Sequence, residues 1–167
     1  MRNIAVILAG GIGARVGGNT PKQLLPLSDG HSVLEHAVNA FEQSPHIHEI
    51  CIVMHPDYIM HAEQMLLANA WQKVRHIIPG GKERWESSVN AIRAMGYRLW
   101  AIGEENNCQS PIANRPNEVN LLLHDAARPF VSQAIIARVC EALEQHEAVT
   151  VAIPSTDTVY EMADGKV

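Results

Sequence analysis

Apolar strands that stay apolar at every position, separated by amphipathic helices, leave this 167-residue chain few folds to choose from. "NIAVIL" (3–8) is the first such run, and "EICIVM" (49–54), "VRHII" (74–78), "VNLLL" (119–123) and "AVTVAI" (148–153) repeat it. Between them the period changes. "SVLEHAVNAF" sets Leu34, Ala37, Val38 and Phe41 at i, i+3, i+4 and i+7, and Ser32 with Glu35 has the spacing of a capping box. "DYIMHAEQMLLANA" reads as a helix capped by Asp57, and residues 83–95 as a helix closed by Gly96. A helix over 133–145 carries Ile136, Val139, Cys140 and Leu143 on one stripe. Strands buried on both faces and joined by helices imply a parallel sheet. The expected fold is therefore α/β: a Rossmann-like, doubly wound, mostly parallel sheet with helices on both faces.

Right-handed crossovers put the C-terminal ends of all strands on one rim, where open sheets of this kind bind ligands. The unusual residues fall on that rim. "GGIGAR" follows the first strand, "PGGKER" the third, "HDAARPF" the fourth and "PSTDT" the fifth. Arg15, Lys22, Lys82, Arg84 and Arg128 thus gather at one edge of a chain whose net charge is −5. A cationic pocket on an acidic protein suits a small anionic ligand, and paired glycines let backbone N–H groups approach phosphate oxygens. Asp125 at a strand end would repel such a ligand unless a divalent cation bridged them, and Mg²⁺ suits that role. Each residue also has a plainer reading. Asp125 is placed to cap a helix, Arg128 to pair with Asp125, Gly80 and Gly81 to make a simple loop, and Ser87 to sit on a helix surface.

The first loop fits neither common phosphate pattern. It lacks the Walker A lysine, and Val16 stands where a dinucleotide fingerprint needs its third glycine. No acidic residue closes the second strand either, which disfavours a nicotinamide cofactor. The acidic balance argues against nucleic acid. Cys51, Cys108 and Cys140 share no metal or redox spacing and read as buried thiols of a reducing compartment. The nine histidines show no HExxH pairing, and packing or surface roles suit them. With no basic leader and no apolar run near the ~18 residues of a membrane span, the expected location is the cytoplasm. Residues 97–118, rich in Asn and Pro, read as a surface insertion within a single domain.

"LAGGIGARVGG…PKQLLPL", "GGKERWESSVNA" and "HDAARPF" occur together in one order and spacing. In this the chain resembles the cytidylyltransferases that activate sugar-alcohol phosphates, from about residue 4 to residue 158. That resemblance implies a fold of the nucleotide-diphospho-sugar transferase type. It implies transfer of CMP from CTP to a phosphorylated alcohol, with Mg²⁺ and release of pyrophosphate, in a homodimer.

By position, Arg15 and Lys22 match the family's catalytic cations on the triphosphate. Ala9, Gly10, Gly11, Gly80, Gly81, Lys82, Ser87, Asp125 and Ala126 match nucleotide contacts, with Asp125 also the metal ligand. Arg128 and Thr158 match contacts to the alcohol phosphate, Thr158 in part across a dimer interface. Gly10 replaces what is more often alanine, and Lys82 also departs from the usual pattern. Residues 154–167 match the start of a dimerisation arm. The family pattern continues past it with an arginine, a lysine and an aspartate, so weak nucleotide binding and no efficient turnover are expected of these 167 residues alone.

Two acceptors follow from the resemblance. "HDAARPF" points to 2-C-methyl-D-erythritol 4-phosphate, in non-mevalonate isoprenoid precursor synthesis. "MHAEQM" (60–65) leans towards ribitol 5-phosphate. A non-catalytic nucleotide-binding module is the reading from a different class.

Overall fold

A computed structural model describes residues 1–11, 20–95 and 119–154. Among these residues four strands form one sheet: β1 (Arg2–Ala9), β2 (Glu49–Met54), β3 (Val74–Pro79) and β4 (Val119–Asp125). All neighbours are parallel in the order β3-β2-β1-β4, so β1 is central and the chain reverses its winding direction beside it. The four α-helices among the described residues are α1 (Val33–Glu42), α2 (Ile59–Asn69), α3 (Arg84–Ala94) and α4 (Gln133–Ala142).

The continuous apolar character of β1 and β2 is explained by burial on both sides. Ala5, Ile7 and Ala9 of β1, with Ile50, Ile52 and Met54 of β2, face a large core. Leu34, Ala37, Val38 and Phe41 of α1, Ala62 and Met65 of α2, and Ile136 and Cys140 of α4 close it. The alternate residues Val6, Cys51 and Val53 face a smaller core with Ala91 of α3. Full burial of each large aliphatic side chain contributes about 1.5–3 kcal/mol, so this two-sided core is the main source of stability.

Local signals set most element ends. The Ser32 hydroxyl accepts from Glu35 N while the Glu35 carboxylate accepts from Ser32 N, completing the expected capping box. Ser32 is reached through a short turn in which Gly30 takes φ +86°, a conformation glycine adopts without Cβ strain. Ser132 starts α4, accepting from Ile135 N at 3.3 Å.

Two expectations change. Asp57 does not cap α2. It lies inside a 3₁₀ turn (Pro56–Tyr58) whose cap is His55, with His55 Nδ1 accepting from Asp57 N. The fifth strand is absent among the described residues: 148–154 has no regular structure, and Val151 and Ile153 are 60% and 84% exposed. Its β-branched residues favour a pleated surface only weakly and by context, and the segment pairs with neither outer strand of the described sheet. The expected insertion (97–118) and all but the first residue of the expected arm (154–167) lie outside the described residues, as does Cys108.

Candidate functional site

Strand register brings three loops to the C-terminal rim. Leu8 pairs with Asp125 across β1 and β4, and Ala126 N donates to Leu8 O at 3.1 Å, carrying the pairing one step further. On the other flank Gly80 N donates to Met54 O at 2.8 Å, holding the turn after β3 against the end of β2. The first and second glycine turns then touch. A Cβ on Gly80 would lie 3.0 Å from Ser87 Oγ and 3.3 Å from Gly10 Cα, so the close approach depends on glycine there. Ser87 Oγ accepts from Gly81 N at 3.1 Å and faces Glu83 O at 3.4 Å, tying the first turns of α3 to the loop before it.

These loops enclose a cavity of about 310 Å³. The turn after β1 contributes Leu8, Ala9, Gly10 and Gly11, and the following 3₁₀ turn (Lys22–Leu24) adds Lys22 and Gln23. The α3 side contributes Gly81, Lys82, Glu83, Arg84 and Ser87, and the turn after β4 contributes Asp125, Ala126 and Ala127. Three cations thus face two carboxylates, and α3 begins at the wall, where first-turn N–H groups carry partial positive charge. Arg84 Nη1 lies 3.1 Å from Asp125 Oδ2, and Arg128 Nε lies 3.6 Å from the same oxygen.

Below the cavity, His124 Nε2 is 2.9 Å from Arg128 O, and its ring packs on Phe41 at 4.9 Å between centroids. Burial holds the His124 imidazole below its usual range, although the Arg128 carbonyl and the Asp125 charge act the other way. Burial pushes the Cys51 thiol up to about 12, so it stays protonated and is no nucleophile.

Of the residues singled out in the sequence, the structure brings together Ala9, Gly10, Gly11, Lys22, Gly81, Lys82, Ser87, Asp125 and Ala126 in this one cavity. Gly80 packs directly behind it, and Arg128 sits at its edge, 80% exposed at the side chain. Arg15 and Thr158 lie outside the described residues. Two plainer readings are overturned. Asp125 is not a helix cap, since Ser132 caps α4, and Ser87 is not a surface hydroxyl, being 5% exposed. The pairing of Arg128 with Asp125 is present.

The sequence assigned no role to Gln23 or Glu83, and counted Arg84 only among the rim cations. Gln23 lies within the "PKQ" motif, and its part becomes visible only through its tertiary hydrogen bonds.

A glycine-lined, cationic crevice at the carboxyl ends of parallel strands, where the winding reverses, fits an α/β nucleotidyltransferase fold. The solved structures agree at the level of fold. The 4-diphosphocytidyl-2C-methyl-D-erythritol synthase of Anaerococcus prevotii superposes with a TM-score of 0.70 over 99% of this chain and 61% of its own, at 23% identity. A second structure of a 4-diphosphocytidyl-2C-methyl-D-erythritol synthase gives 0.67 over 99% and 66%, at 24% identity.

The sequence profile of the 2-C-methyl-D-erythritol 4-phosphate cytidylyltransferase family matches residues 3–101 and 109–167. The chain belongs to that family. The Thermobifida fusca protein of that name is 38% identical over 161 residues, covering 96% of this chain and 57% of its own length. The Bifidobacterium longum one is 35% identical over 93% of this chain and 48% of its own. The bifunctional ribulose 5-phosphate reductase/CDP-ribitol pyrophosphorylase of Haemophilus influenzae is 35% identical over 95% of this chain and 30% of its own length. The chain therefore spans about half the length or less of several relatives that it matches.

Among the described residues no group of three His, Cys, Asp or Glu is placed to hold a metal ion. Asp125 and Glu83 offer carboxylate oxygens beside the rim cations. That set suits Mg²⁺ arriving on a polyphosphate, because such an ion draws most of its ligands from water and phosphate. No helix among the described residues is long and apolar enough to cross a membrane.

Proposed function

We propose that the chain is the nucleotide-binding part of a cytidylyltransferase that moves CMP from CTP to 2-C-methyl-D-erythritol 4-phosphate and releases pyrophosphate. The observation that carries the reading is the single cavity lined jointly by the two glycine turns, Lys22, Lys82, Arg84 and Asp125. The alcohol phosphate attacks the α-phosphate in line with the departing pyrophosphate. The protein contributes position and positive charge rather than covalent chemistry. Lys22, with Arg15, neutralises charge developing on the triphosphate. Ala9, Gly10, Gly11, Gly80, Gly81, Lys82, Ser87 and Ala126 hold the nucleotide. Backbone groups close to the base edge favour a pyrimidine over a purine. Arg128 and Thr158 meet the alcohol phosphate.

Asp125 would hold a Mg²⁺ ion, which when bound offsets phosphate charge. The same reading gives a cytoplasmic homodimer whose dimerisation arm begins at 154–167, with efficient turnover requiring the family's C-terminal segment. A second acceptor, ribitol 5-phosphate, is favoured by the likeness to the Haemophilus influenzae CDP-ribitol pyrophosphorylase.

Thermal unfolding of the 167-residue chain with Mg²⁺ and each nucleotide tests the reading. Selective binding to the native state raises Tm by mass action. CTP should raise it more than ATP, GTP or UTP do. Equal shifts, or none, would overturn the assignment and favour an inert module. Pyrophosphate release with each alcohol phosphate then separates the two acceptors.

A further inference from the structure

We infer that Gln23 is a positioning residue: its side-chain amide locks the glycine turn after β1 and fixes that turn relative to Lys22. Gln23 is 3% exposed, at the centre of the 3₁₀ turn that also presents Lys22 to the cavity. Its Nε2 donates to Ala9 O at 2.6 Å and to Gly11 O at 2.8 Å, the two carbonyls on either side of Gly10. Both N–H bonds of one amide are thereby used on one turn.

Three consequences follow from elementary geometry. A trans peptide holds its C=O and N–H on opposite sides, so fixing Ala9 O also fixes the direction of the Gly10 N–H. Gly10 has no side chain of its own to anchor it, and such a turn has wide freedom when unconstrained. Next, two carbonyl oxygens are drawn towards Gln23 and so have a donor of their own, and an anionic ligand does not meet their negative ends unpaired. Finally, the Gln23 backbone is tied to Lys22 through the turn bonds Leu24 N to Pro21 O, 2.9 Å, and Leu25 N to Lys22 O, 3.2 Å. The lysine and the glycine turn, separated in sequence, become one preorganised unit. Only an amide of this length does this, since a carboxylate cannot donate and an alkyl chain offers nothing.

The part of this inference that concerns affinity rests on the CTP reading above, whereas the part that concerns the loop does not. Two measurements keep them apart. In the wild-type chain without nucleotide, amide exchange by NMR should show the Gln23 side-chain N–H₂ protected at least tenfold over that of exposed Gln43. In Gln23→Met, the Gly10 and Gly11 amides should exchange at least tenfold faster while those of Val6 and Ile7 in mid-strand stay within twofold.

With Mg²⁺-CTP, folded Gln23→Met should bind at least tenfold more weakly, and Gln23→Glu more weakly still because its charge faces both carbonyls. An unprotected Gln23 amide, or exchange that rises uniformly along β1, would overturn the positioning role. So would CTP affinity equal to wild type in a variant whose only change is a lower Tm. If wild type itself fails to bind CTP, the functional reading falls and the affinity claim with it, while the exchange data still decide the loop. Should Gln23→Met not fold, the wild-type side-chain protection decides it.

Discussion

Arg84 at the first turn of α3 and Asp125 at the end of β4 meet at 3.1 Å, joining two loops that sequence separates widely. The pair is the only direct ionic tie between these two loops among the described residues. Arg84 is 68% exposed at its side chain, so solvent screens the contact and its share of stability is small, about 0–1 kcal/mol. Its larger effect is on an anion entering the cavity that it lines. Arg84→Ala should therefore leave the urea midpoint nearly unchanged. It should weaken CTP binding by about 1 kcal/mol, roughly fivefold, with the gap shrinking at high salt. Titration calorimetry at two ionic strengths checks this.

Asp125 separates charge from metal. Both guanidiniums point at one of its oxygens, and the carboxylate lowers the positive potential of the rim. Asp125→Asn should bind CTP more tightly than wild type in chelator and more weakly in Mg²⁺. Wild type should therefore gain more affinity from the ion than the variant does. A titration of Mg²⁺ at fixed CTP would reveal it, and parallel curves for the two proteins would count against Asp125 as the ligand.

The glycines differ in what a methyl group would meet. A Cβ on Gly81 would fall 2.2 Å from Glu86 Cβ and 3.2 Å from the Glu86 backbone carbon, so the start of α3 would have to move. A Cβ on Gly10 would make ordinary contacts, 3.4 Å to Ser87 Oγ and 3.6 Å to Gly80 Cα. Gly81→Ala should cost about 1–3 kcal/mol and disturb the cavity, as overpacking does. Gly10→Ala should stay within about 0.5 kcal/mol of wild type. Thermal unfolding of the two variants side by side gives the contrast directly.

That contrast also marks how far the sequence can be read. Four strands were legible as continuous apolar runs; β1 and β2 owe this to burial on both faces, whereas β3 and β4 are only partly covered among the described residues and Leu123 is 51% exposed. The α1 stripe and its Ser32–Glu35 box were legible because they are local. The convergence of the loops followed from parallel topology, and nine of the site residues named from sequence line the cavity. What escaped was whatever depends on a distant partner. "AVTVAI" has strand chemistry, yet among the described residues it pairs with neither outer strand of the sheet. His55, not Asp57, caps its turn because a ring nitrogen happens to reach Asp57 N. Gln23 looks like any polar residue after a lysine, and its two carbonyl partners lie 12 and 14 positions away.

The capping box that helped to locate α1 also predicts a pH dependence. Burial acts to raise the Glu35 pKa, but donors from Asn69 and from the Ser32 amide and hydroxyl outweigh it, and the net shift is down from 4.5. The two carboxylate oxygens divide the work: Oε2 accepts from Ser32 N at 2.7 Å and Oε1 from Asn69 Nδ2 at 2.9 Å. A carboxyl whose folded pKa is depressed contributes stability that is complete above its unfolded value. That contribution is lost as pH falls through the folded value. Glu35→Gln keeps one oxygen and so satisfies one donor, not both. At pH 7 it should lower stability by about 1 kcal/mol. Below the folded pKa, where wild-type Glu35 is itself neutral, the two proteins should converge. Urea unfolding over a descending pH series from pH 7 measures the gap, and a gap that does not narrow as pH falls would show that the charge on Glu35 contributes nothing.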